Sequence, residues 1–320
     1  MALWLNEADI RATLRMSELI PAMANALRAY SSGLVNQPVR TVIDVKPNLS
    51  FFAAMPAHAS ALPALGAKLV TVFGTNPERG LPSHLATILL LDPETGALLA
   101  IMDGRYITEV RTAAVSAVAA DVLSPNGSRV LAIIGSGVQA RSHLEALPLV
   151  RKFEAIRCWS PTRAHALSFV SESMNPNLQA AVSAEEAVRN ADLVVLATDS
   201  PNPVIRSEWV KEGSCVISVG ACRPNQREMD PELVARSRLF VDARASALSE
   251  SGDVVLGIEE GRFTKSHIVA ELGEALERPA FAKGAGVTIF KSLGLAVEDL
   301  AAAHLAYTRA KALGKGVPLD

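Results

Sequence analysis

Val130-Leu-Ala-Ile-Ile-Gly-Ser-Gly-Val-Gln-Ala140 decides the fold, because an apolar run leads through two glycines into the start of a helix. The run Val130 to Ile134 suits a strand that is buried on both faces of a parallel sheet. Gly135 permits a tight turn, Gly137 lets a pyrophosphate approach the backbone, and the small Ala140 lets the helix pack close to the strand. Backbone N–H groups at the start of such a helix attract phosphate. The stretch therefore predicts a dinucleotide-binding turn.

Strands and helices alternate after this turn. Further strands are predicted at 155–159, 178–182, 193–197, 215–219 and 239–241. Alternation of this length predicts an α/β domain, a Rossmann fold with a doubly wound parallel sheet. Because a dinucleotide-binding domain usually begins at its first strand, the 129 residues before Val130 must build something else.

The N-terminal part has a different pattern. Residues 7–31 repeat apolar positions near the helical period, and Pro21 is expected to interrupt this helix or to start a second one. Short strands follow, divided by Pro, Gly and Asn, and they predict a smaller α+β domain with an antiparallel sheet. The strands are expected at 41–45, 50–54, 67–72, 86–91 and 98–102, with helices at 108–123 and 298–311.

Composition limits the class of protein. A chain of 320 residues with 49% apolar residues favours two globular domains. The net charge of −2 and the scattered basic residues argue against a nucleic-acid partner, and the apolar runs are too short to span a membrane. Three widely spaced cysteines lack metal-ligand spacing, so no metal site is expected. With no signal-peptide pattern at the N-terminus, these cysteines predict a cytoplasmic location.

The second strand bears on the choice of cofactor. An acidic residue near its end usually holds the ribose 2′-hydroxyl of NAD, and here the chain reads Cys158-Trp-Ser-Pro-Thr-Arg163 without a carboxylate. Ser160, Thr162 and Arg163 could instead hold a 2′-phosphate, which favours NADPH over NADH. The alternative is that Ser160 and Thr162 only cap the helix that starts at Arg163.

Short motifs along nearly the whole chain resemble the ornithine cyclodeaminase and mu-crystallin family. The matching pieces include Gly66-Ala-Lys68, Pro82-Ser-His84, Met102-Asp-Gly104, Arg111-Thr-Ala-Ala114, Gly135 to Ala140, Val219-Gly-Ala221, Ser251-Gly-Asp253 and Phe290-Lys-Ser-Leu-Gly294. The resemblance implies a substrate and dimerisation domain at 1–117 and 295–320, a Rossmann domain inserted at 118–294, and a homodimer.

The resemblance also implies roles for individual residues. Arg40, Lys68 and Arg111 match positions that hold the substrate carboxylate, with Met55 beside them, and three cations suit a small anion. Without the resemblance, each cation would be an ordinary exposed residue. His84 could supply a proton, and its alternative is a structural histidine. Lys68, His84 and Arg111 are the candidate catalytic residues.

The resemblance implies a set of cofactor contacts as well. They come from the loop before the glycine turn, from the turn itself and from the ends of later strands. The candidates are Ser83, His84, Gly135, Ser136, Gly137, Val138, Gln139, Ser160, Thr162, Arg163, Thr198, Val219 and Ser292.

One departure from the family pattern bears on the activity. Cyclodeaminases carry an acidic residue shortly after the Val-Gly strand end, and this chain places Cys222 there. The chain is therefore more similar to the branch that reduces cyclic ketimines, such as 1-pyrroline-2-carboxylate or 1-piperideine-2-carboxylate, to L-proline or L-pipecolate. Three alternatives stay open: reductive amination of a 2-oxo acid, ornithine cyclodeamination, and binding of NADPH or a small ligand without turnover.

Overall fold

The computed structural model describes residues 1–46 and 50–319, and these residues form two compact units. Unit 1 comprises Met1–Arg111 and the C-terminal segment that begins at Gly294, and unit 2 comprises Thr112–Leu293.

The strands are β1 (Ala2–Leu5), β2 (Val35–Asn36), β3 (Thr41–Lys46), β4 (Ser50–Ala59), β5 (Ala64–Phe73), β6 (His84–Leu91), β7 (Leu98–Asp103), β8 (Val130–Ile134), β9 (Ala155–Trp159), β10 (Leu178–Ala180), β11 (Leu193–Leu196), β12 (Cys215–Ser218), β13 (Arg238–Val241), β14 (Ile268–Glu271), β15 (Thr288–Lys291) and β16 (Val317–Leu319). The helices are α1 (Glu7–Thr13), α2 (Met16–Ser31), α3 (Arg105–Leu123), α4 (Val138–Ala146), α5 (Arg163–Glu172), α6 (Ala184–Val188), α7 (Pro231–Ala235), α8 (Arg244–Glu250), α9 (Gly252–Glu259), α10 (Leu272–Glu277) and α11 (Ala296–Leu313).

Unit 2 contains the doubly wound parallel sheet that the sequence predicts. Its strand order is β10-β9-β8-β11-β12-β15-β13-β14, and every pair is parallel. The order reverses direction at β8, so the turn after this strand lies at the topological switch point where ligands of such sheets bind. β11, β12 and β15 are buried along their whole length, which explains the continuous apolar run of β11.

Unit 1 is built on a mostly antiparallel sheet. The strand order is β16-β1-β7-β6-β5-β4-β2, and β3 pairs with β4. β5 alternates along its length, and Ala64, Gly66, Lys68 and Val70 are buried. Because successive side chains point to opposite faces of a strand, Lys68 lies on the buried face. α11 packs against β4, β5 and β6 of this sheet and against α2.

Two expectations for the N-terminal part were wrong. The helix between residues 7 and 31 is interrupted at Leu14 and Arg15, whereas Pro21 lies inside α2. Pro21 removes one N–H group from the helix ladder, but Pro21 and Ser17, whose carbonyl would accept from it, are both exposed, so that carbonyl can be hydrated. The sheet is also not purely antiparallel, because β1 pairs with β7 in parallel.

The described helices include none that is both long enough and apolar enough to cross a lipid bilayer.

Candidate functional site

A cluster of buried charged side chains lies in unit 1, where α11 meets β5 and α3. Asp299 faces a cation at each of its oxygens: Lys68 Nζ forms an ion pair with Oδ2 at 2.6 Å, and Arg111 Nε donates to Oδ1 at 2.9 Å. Glu298 Oε2 lies 3.0 Å from Arg111 Nη1. All four side chains are buried. These four residues, together with Arg40, are called the charged cluster below.

Local structure fixes each member of the charged cluster. Glu298 and Asp299 lie in the first turn of α11, and Glu298 also accepts from the N–H of Leu295, so the carboxylates are anchored at the helix start. Lys68 Nζ also donates to Thr108 Oγ1 at 3.4 Å. Thr108 and Arg111 are three residues apart on α3 and therefore lie on one face of that helix.

Gly294 connects the two arginines of the charged cluster. Its carbonyl accepts from Arg40 Nη2 at 3.3 Å, and Arg40 is half-buried. Its φ is +83°, and a Cβ atom there would lie 2.5 Å from Arg111 Nη1. Glycine is therefore required here for two reasons, the backbone conformation and the close approach of the guanidinium.

The environment shifts the ionisation of the charged cluster. Burial, opposed by Asp299 and reinforced by Arg111, lowers the pKa of Lys68 to about 8. Burial opposes ionisation of Asp299, but the Arg111 and Lys68 cations prevail and lower its pKa. Both members of the Lys68–Asp299 pair are therefore charged at pH 7.

His84 begins β6, opposite Val72 of β5, and is half-buried. Burial, followed by the repulsion of Lys68 and Arg111, lowers the pKa of His84 to about 4, so the imidazole is neutral at pH 7. Ser83 before it is exposed. Met55 is buried and pairs directly with Lys68 across β4 and β5.

The glycine turn, residues 135–137, follows β8 in unit 2. Gly135 has φ +123°, and a Cβ atom there would lie 2.3 Å from the carbonyl oxygen of Ala197. Gly137 is the N-cap of α4, and a Cβ atom there would meet no described atom within 4 Å. A side chain at 137 would instead fill the space in front of the first N–H groups of α4. These features fit a pyrophosphate at the helix start.

The remaining cofactor candidates of unit 2 lie at one edge of its sheet. Each follows the carboxyl end of a parallel strand, and the strands β9, β8, β11, β12 and β15 are neighbours in that order. The candidates are Ser136, Val138 and Gln139 after β8, Ser160, Thr162 and Arg163 after β9, Thr198 after β11, Val219 after β12 and Ser292 after β15. The structure therefore brings these residues to the edge where dinucleotides bind.

The hydroxyl groups among these candidates differ in what they contact. Thr162 is the N-cap of α5 but makes no capping hydrogen bond with its side chain, and Arg163 beside it is exposed. The capping alternative therefore does not account for Thr162. Thr198 Oγ1 donates to Glu228 at 2.7 Å, and Ser292 Oγ donates to Asp242 at 3.3 Å.

Glu228 is a buried carboxylate that the sequence analysis did not identify. Its oxygens accept from the backbone N–H groups of Thr198, Gly220 and Ala221 and from two hydroxyls, those of Thr198 and Ser218. It thereby ties the loop after β11 to the loop after β12. Lys291 Nζ donates to the same Ser218 hydroxyl at 3.0 Å and lies 3.2 Å from Asp253 Oδ2.

The cysteines and the possible metal ligands add no further candidate site among the described residues. The three cysteines are free thiols, and the Cys222 thiol is half-buried with the carbonyl of Val219 3.6 Å from its sulfur. Within residues 1–46 and 50–319, no group of three or more His, Cys, Asp and Glu side chains could hold a metal ion.

Comparisons with known proteins agree with this geometry. Residues 2–314 match the ornithine cyclodeaminase/mu-crystallin family. The chain belongs to this family. Among the members, ketimine reductase mu-crystallin of Rattus norvegicus is 44% identical over 310 residues, which cover 95% of this chain and 96% of the relative.

Two solved structures share the fold of the present chain over nearly its whole length. Thermococcus litoralis Delta(1)-pyrroline-2-carboxylate reductase, in complex with NADH and L-proline, has a TM-score of 0.94 and 37% identity and covers 99% of this chain and 100% of its own. An archaeal alanine dehydrogenase dimer with bound NAD has a TM-score of 0.93 and 31% identity and covers 100% of this chain and 99% of its own. The family resemblance drawn from the sequence motifs is thus confirmed.

Proposed function

We propose that this chain is an NAD(P)H-dependent reductase of cyclic ketimine carboxylates. It would convert 1-pyrroline-2-carboxylate to L-proline, 1-piperideine-2-carboxylate to L-pipecolate, or both. The observation that carries the proposal is the charged cluster, in which one carboxylate holds Lys68 and Arg111 together in a buried position. The relative that was solved with NADH and L-proline supports the same chemistry.

In this proposal unit 1 binds the substrate. Arg111 and Arg40 hold the substrate carboxylate through charge-assisted hydrogen bonds, with Lys68 and Met55 beside them. Holding the carboxylate also orients the neighbouring C=N bond, which lowers the entropy cost of the reaction. The imidazole of His84 is neutral at pH 7, so it does not compete with Arg111 and Arg40 for the substrate carboxylate.

Unit 2 would bind the cofactor, which supplies the hydride when bound. Gly135, Ser136, Gly137, Val138 and Gln139 would receive the pyrophosphate. Thr198, Val219 and Ser292 would line the remainder of the site. No acidic residue follows β9, so Ser160, Thr162 and Arg163 favour NADPH over NADH.

A substrate panel tests the proposed function. The purified protein is assayed with both imines and with pyruvate plus ammonia, each with NADPH and with NADH. It is also assayed with L-ornithine, with NADP⁺ and with NAD⁺. Oxidation of NAD(P)H by at least one imine, faster than by pyruvate plus ammonia, is expected. Turnover of pyruvate plus ammonia, or of L-ornithine, with no turnover of either imine would overturn the proposal. Tight NADPH binding without oxidation of the cofactor by either imine would overturn it as well.

The cofactor preference has its own test. Replacing Arg163 by Ala removes the guanidinium proposed to hold the 2′-phosphate, so we expect the ratio of kcat/KM for NADPH to that for NADH to fall roughly tenfold or more. Arg189→Ala is the matched control, because Arg189 is an exposed arginine of the same unit that pairs with Glu185. An unchanged ratio in Arg163→Ala would contradict the assignment.

The homodimer is a further part of the proposal. β3 is exposed at all six positions, and it carries Val42, Ile43 and Val45 with 48%, 56% and 51% of their surface accessible. Within the described chain β3 pairs with β4 alone. An apolar edge strand of this kind is an aggregation hazard unless something covers it, and a second copy of the chain would do so.

A further inference from the structure

We propose that Lys68 donates the proton that the ring nitrogen takes up during imine reduction, and that Asp299 is the positioning residue that holds Lys68 for this step. The inference rests on the proposed function, because it assigns a role within the reduction of a cyclic imine. It is carried by the geometry of the charged cluster.

Asp299 couples anion binding to proton delivery. Its Oδ1 accepts from the Nε–H of Arg111 at 2.9 Å, and its Oδ2 forms an ion pair with the ammonium group of Lys68 at 2.6 Å. In a cyclic imine with a 2-carboxylate, the nitrogen is bonded to the carbon that carries the carboxylate. Asp299 holds both cations. The guanidinium of Arg111 can therefore face the substrate carboxylate while the ammonium of Lys68 faces the adjacent ring nitrogen.

Lys68 has a proton to offer in this position. An ammonium group has three N–H donors. Lys68 forms an ion pair with Asp299 and donates a hydrogen bond to the hydroxyl of Thr108, and the residues that the structure describes provide no third partner for its ammonium group. A buried donor without an acceptor is costly, so a substrate nitrogen at this point would receive a hydrogen bond that the free protein lacks.

The surroundings favour Lys68 over His84 as the donor. The charged and titratable groups around Lys68 are Asp299 and Glu298 of α11, Arg111 of α3, Arg40 before β3 and His84 of β6. Burial, and then the repulsion of the Lys68 and Arg111 cations, lowers the pKa of His84 to about 4 and keeps its imidazole neutral. Lys68, with its pKa lowered to about 8, is protonated at pH 7 and gives up its proton far more readily than an exposed lysine.

The step is balanced. The Nζ–H bond of Lys68 breaks, and an N–H bond forms at the ring nitrogen. The ring carbon receives a hydride and its electron pair from the reduced nicotinamide that the proposed function supplies. Lys68 is left as a neutral amine and regains its proton from water before the next turnover.

The pH dependence of kcat/KM, which reports the ionisation of the free enzyme, tests the inference. The active form is the protonated one, so kcat/KM of the wild-type enzyme is expected to fall about tenfold per pH unit above a midpoint near 8. Asp299→Asn removes the charge that stabilises the ammonium and should move this midpoint to lower pH. Glu298→Gln is the matched control on the same helix turn. Glu298 pairs with Arg111, whereas the described partners of Lys68 are Asp299 and Thr108, so Glu298→Gln should weaken L-proline binding but leave the midpoint in place.

Two more variants separate proton delivery from charge. Lys68→Arg keeps a positive charge that does not titrate, so kcat is expected to fall roughly 100-fold and the pH profile of kcat/KM to lose its decline above pH 8. The calorimetric affinity for L-proline should stay within a few-fold. His84→Asn should keep the decline of kcat/KM above pH 8.

Wild-type kcat in Lys68→Arg, or an unmoved midpoint in Asp299→Asn, overturns the inference. If Lys68→Arg does not fold, the Asp299→Asn profile decides; if the wild type reduces no imine, the proposed function fails instead.

Discussion

Asp299 compensates two buried cations at once, and this makes it the residue on which the charged cluster depends most. Taking charges out of water costs several kcal/mol per ion, and the cost is offset only where the geometry of the pairs is good. Removing one partner of a buried pair typically costs about 3–5 kcal/mol, because the other charge is left unpaired. The short contacts to Lys68 and Arg111 are therefore a requirement for burying these two side chains.

The sequence predicted the cations but not their counterions. Lys68 and Arg111 lie in short motifs of the family, and the structure brings them together in one buried group. Glu298 and Asp299 look in sequence like acidic residues placed in the first turn of a helix to complement its dipole, which is an ordinary exposed use. Only the packing of α11 against the sheet buries them, and no local pattern reports this packing.

Gly294 offers a test of how tightly the charged cluster is built. Gly294→Ala places a Cβ atom 2.5 Å from Arg111 Nη1 at a φ of +83°. Because the guanidinium must move, we expect L-proline binding, measured by calorimetry, to weaken roughly tenfold or more. Gly96→Ala shares the strained backbone, with φ +73°, but its Cβ atom meets nothing within 4 Å. It should lose stability and keep binding; equal loss of binding in both variants would contradict the role of Gly294.

At the scale of the element, the turn from β8 to α4 was predictable because its constraints are local. An apolar strand, a glycine with positive φ and a helix start are all encoded within residues 130–140. Strands such as β1, β14, β15 and β16 were not identified. They have only three or four residues each, and long-range pairing stabilises them more than their own composition does.

Substitution of the two glycines of this turn should have different effects, on stability at Gly135 and on cofactor affinity at Gly137. Gly135→Ala places a Cβ atom 2.3 Å from the Ala197 carbonyl, so the melting temperature should drop by several degrees. Gly137→Ala meets no described atom within 4 Å, so stability should be kept while the Kd for NADPH rises roughly tenfold or more, because the added methyl lies where the pyrophosphate approaches.

Gly127→Ala is the control for this pair, since its Cβ atom meets nothing within 4 Å and its φ is not in the left-handed region. It should change neither melting temperature nor affinity. NADPH affinity that is unchanged in Gly137→Ala, measured by fluorescence titration, would argue against a phosphate at the start of α4.

At the scale of the whole molecule, unit 1 is built from two segments that are distant in sequence. α11 completes unit 1 although nearly 200 residues separate it from β7, and its own pattern does not reveal where it packs. The helical period shows that residues 298–311 form a helix, but its position follows from contacts with β4, β5 and β6. The family resemblance supplied what periodicity could not, because it compares the whole order of motifs.

The exposed edge of unit 1 leads to a prediction about assembly. Ile43 and Val45 are exposed apolar residues of β3, and Ile43→Glu with Val45→Glu would place two carboxylates in a surface that a second copy is proposed to cover. Burying unpaired charge is unfavourable, so the mass from sedimentation equilibrium should change from that of a dimer to that of a monomer.

Val317→Glu is the control, because Val317 has 58% of its surface accessible on β16 at the other end of the same sheet. A monomeric wild-type protein, or a dimer that survives the β3 changes, would mean that β3 is not the contact between copies.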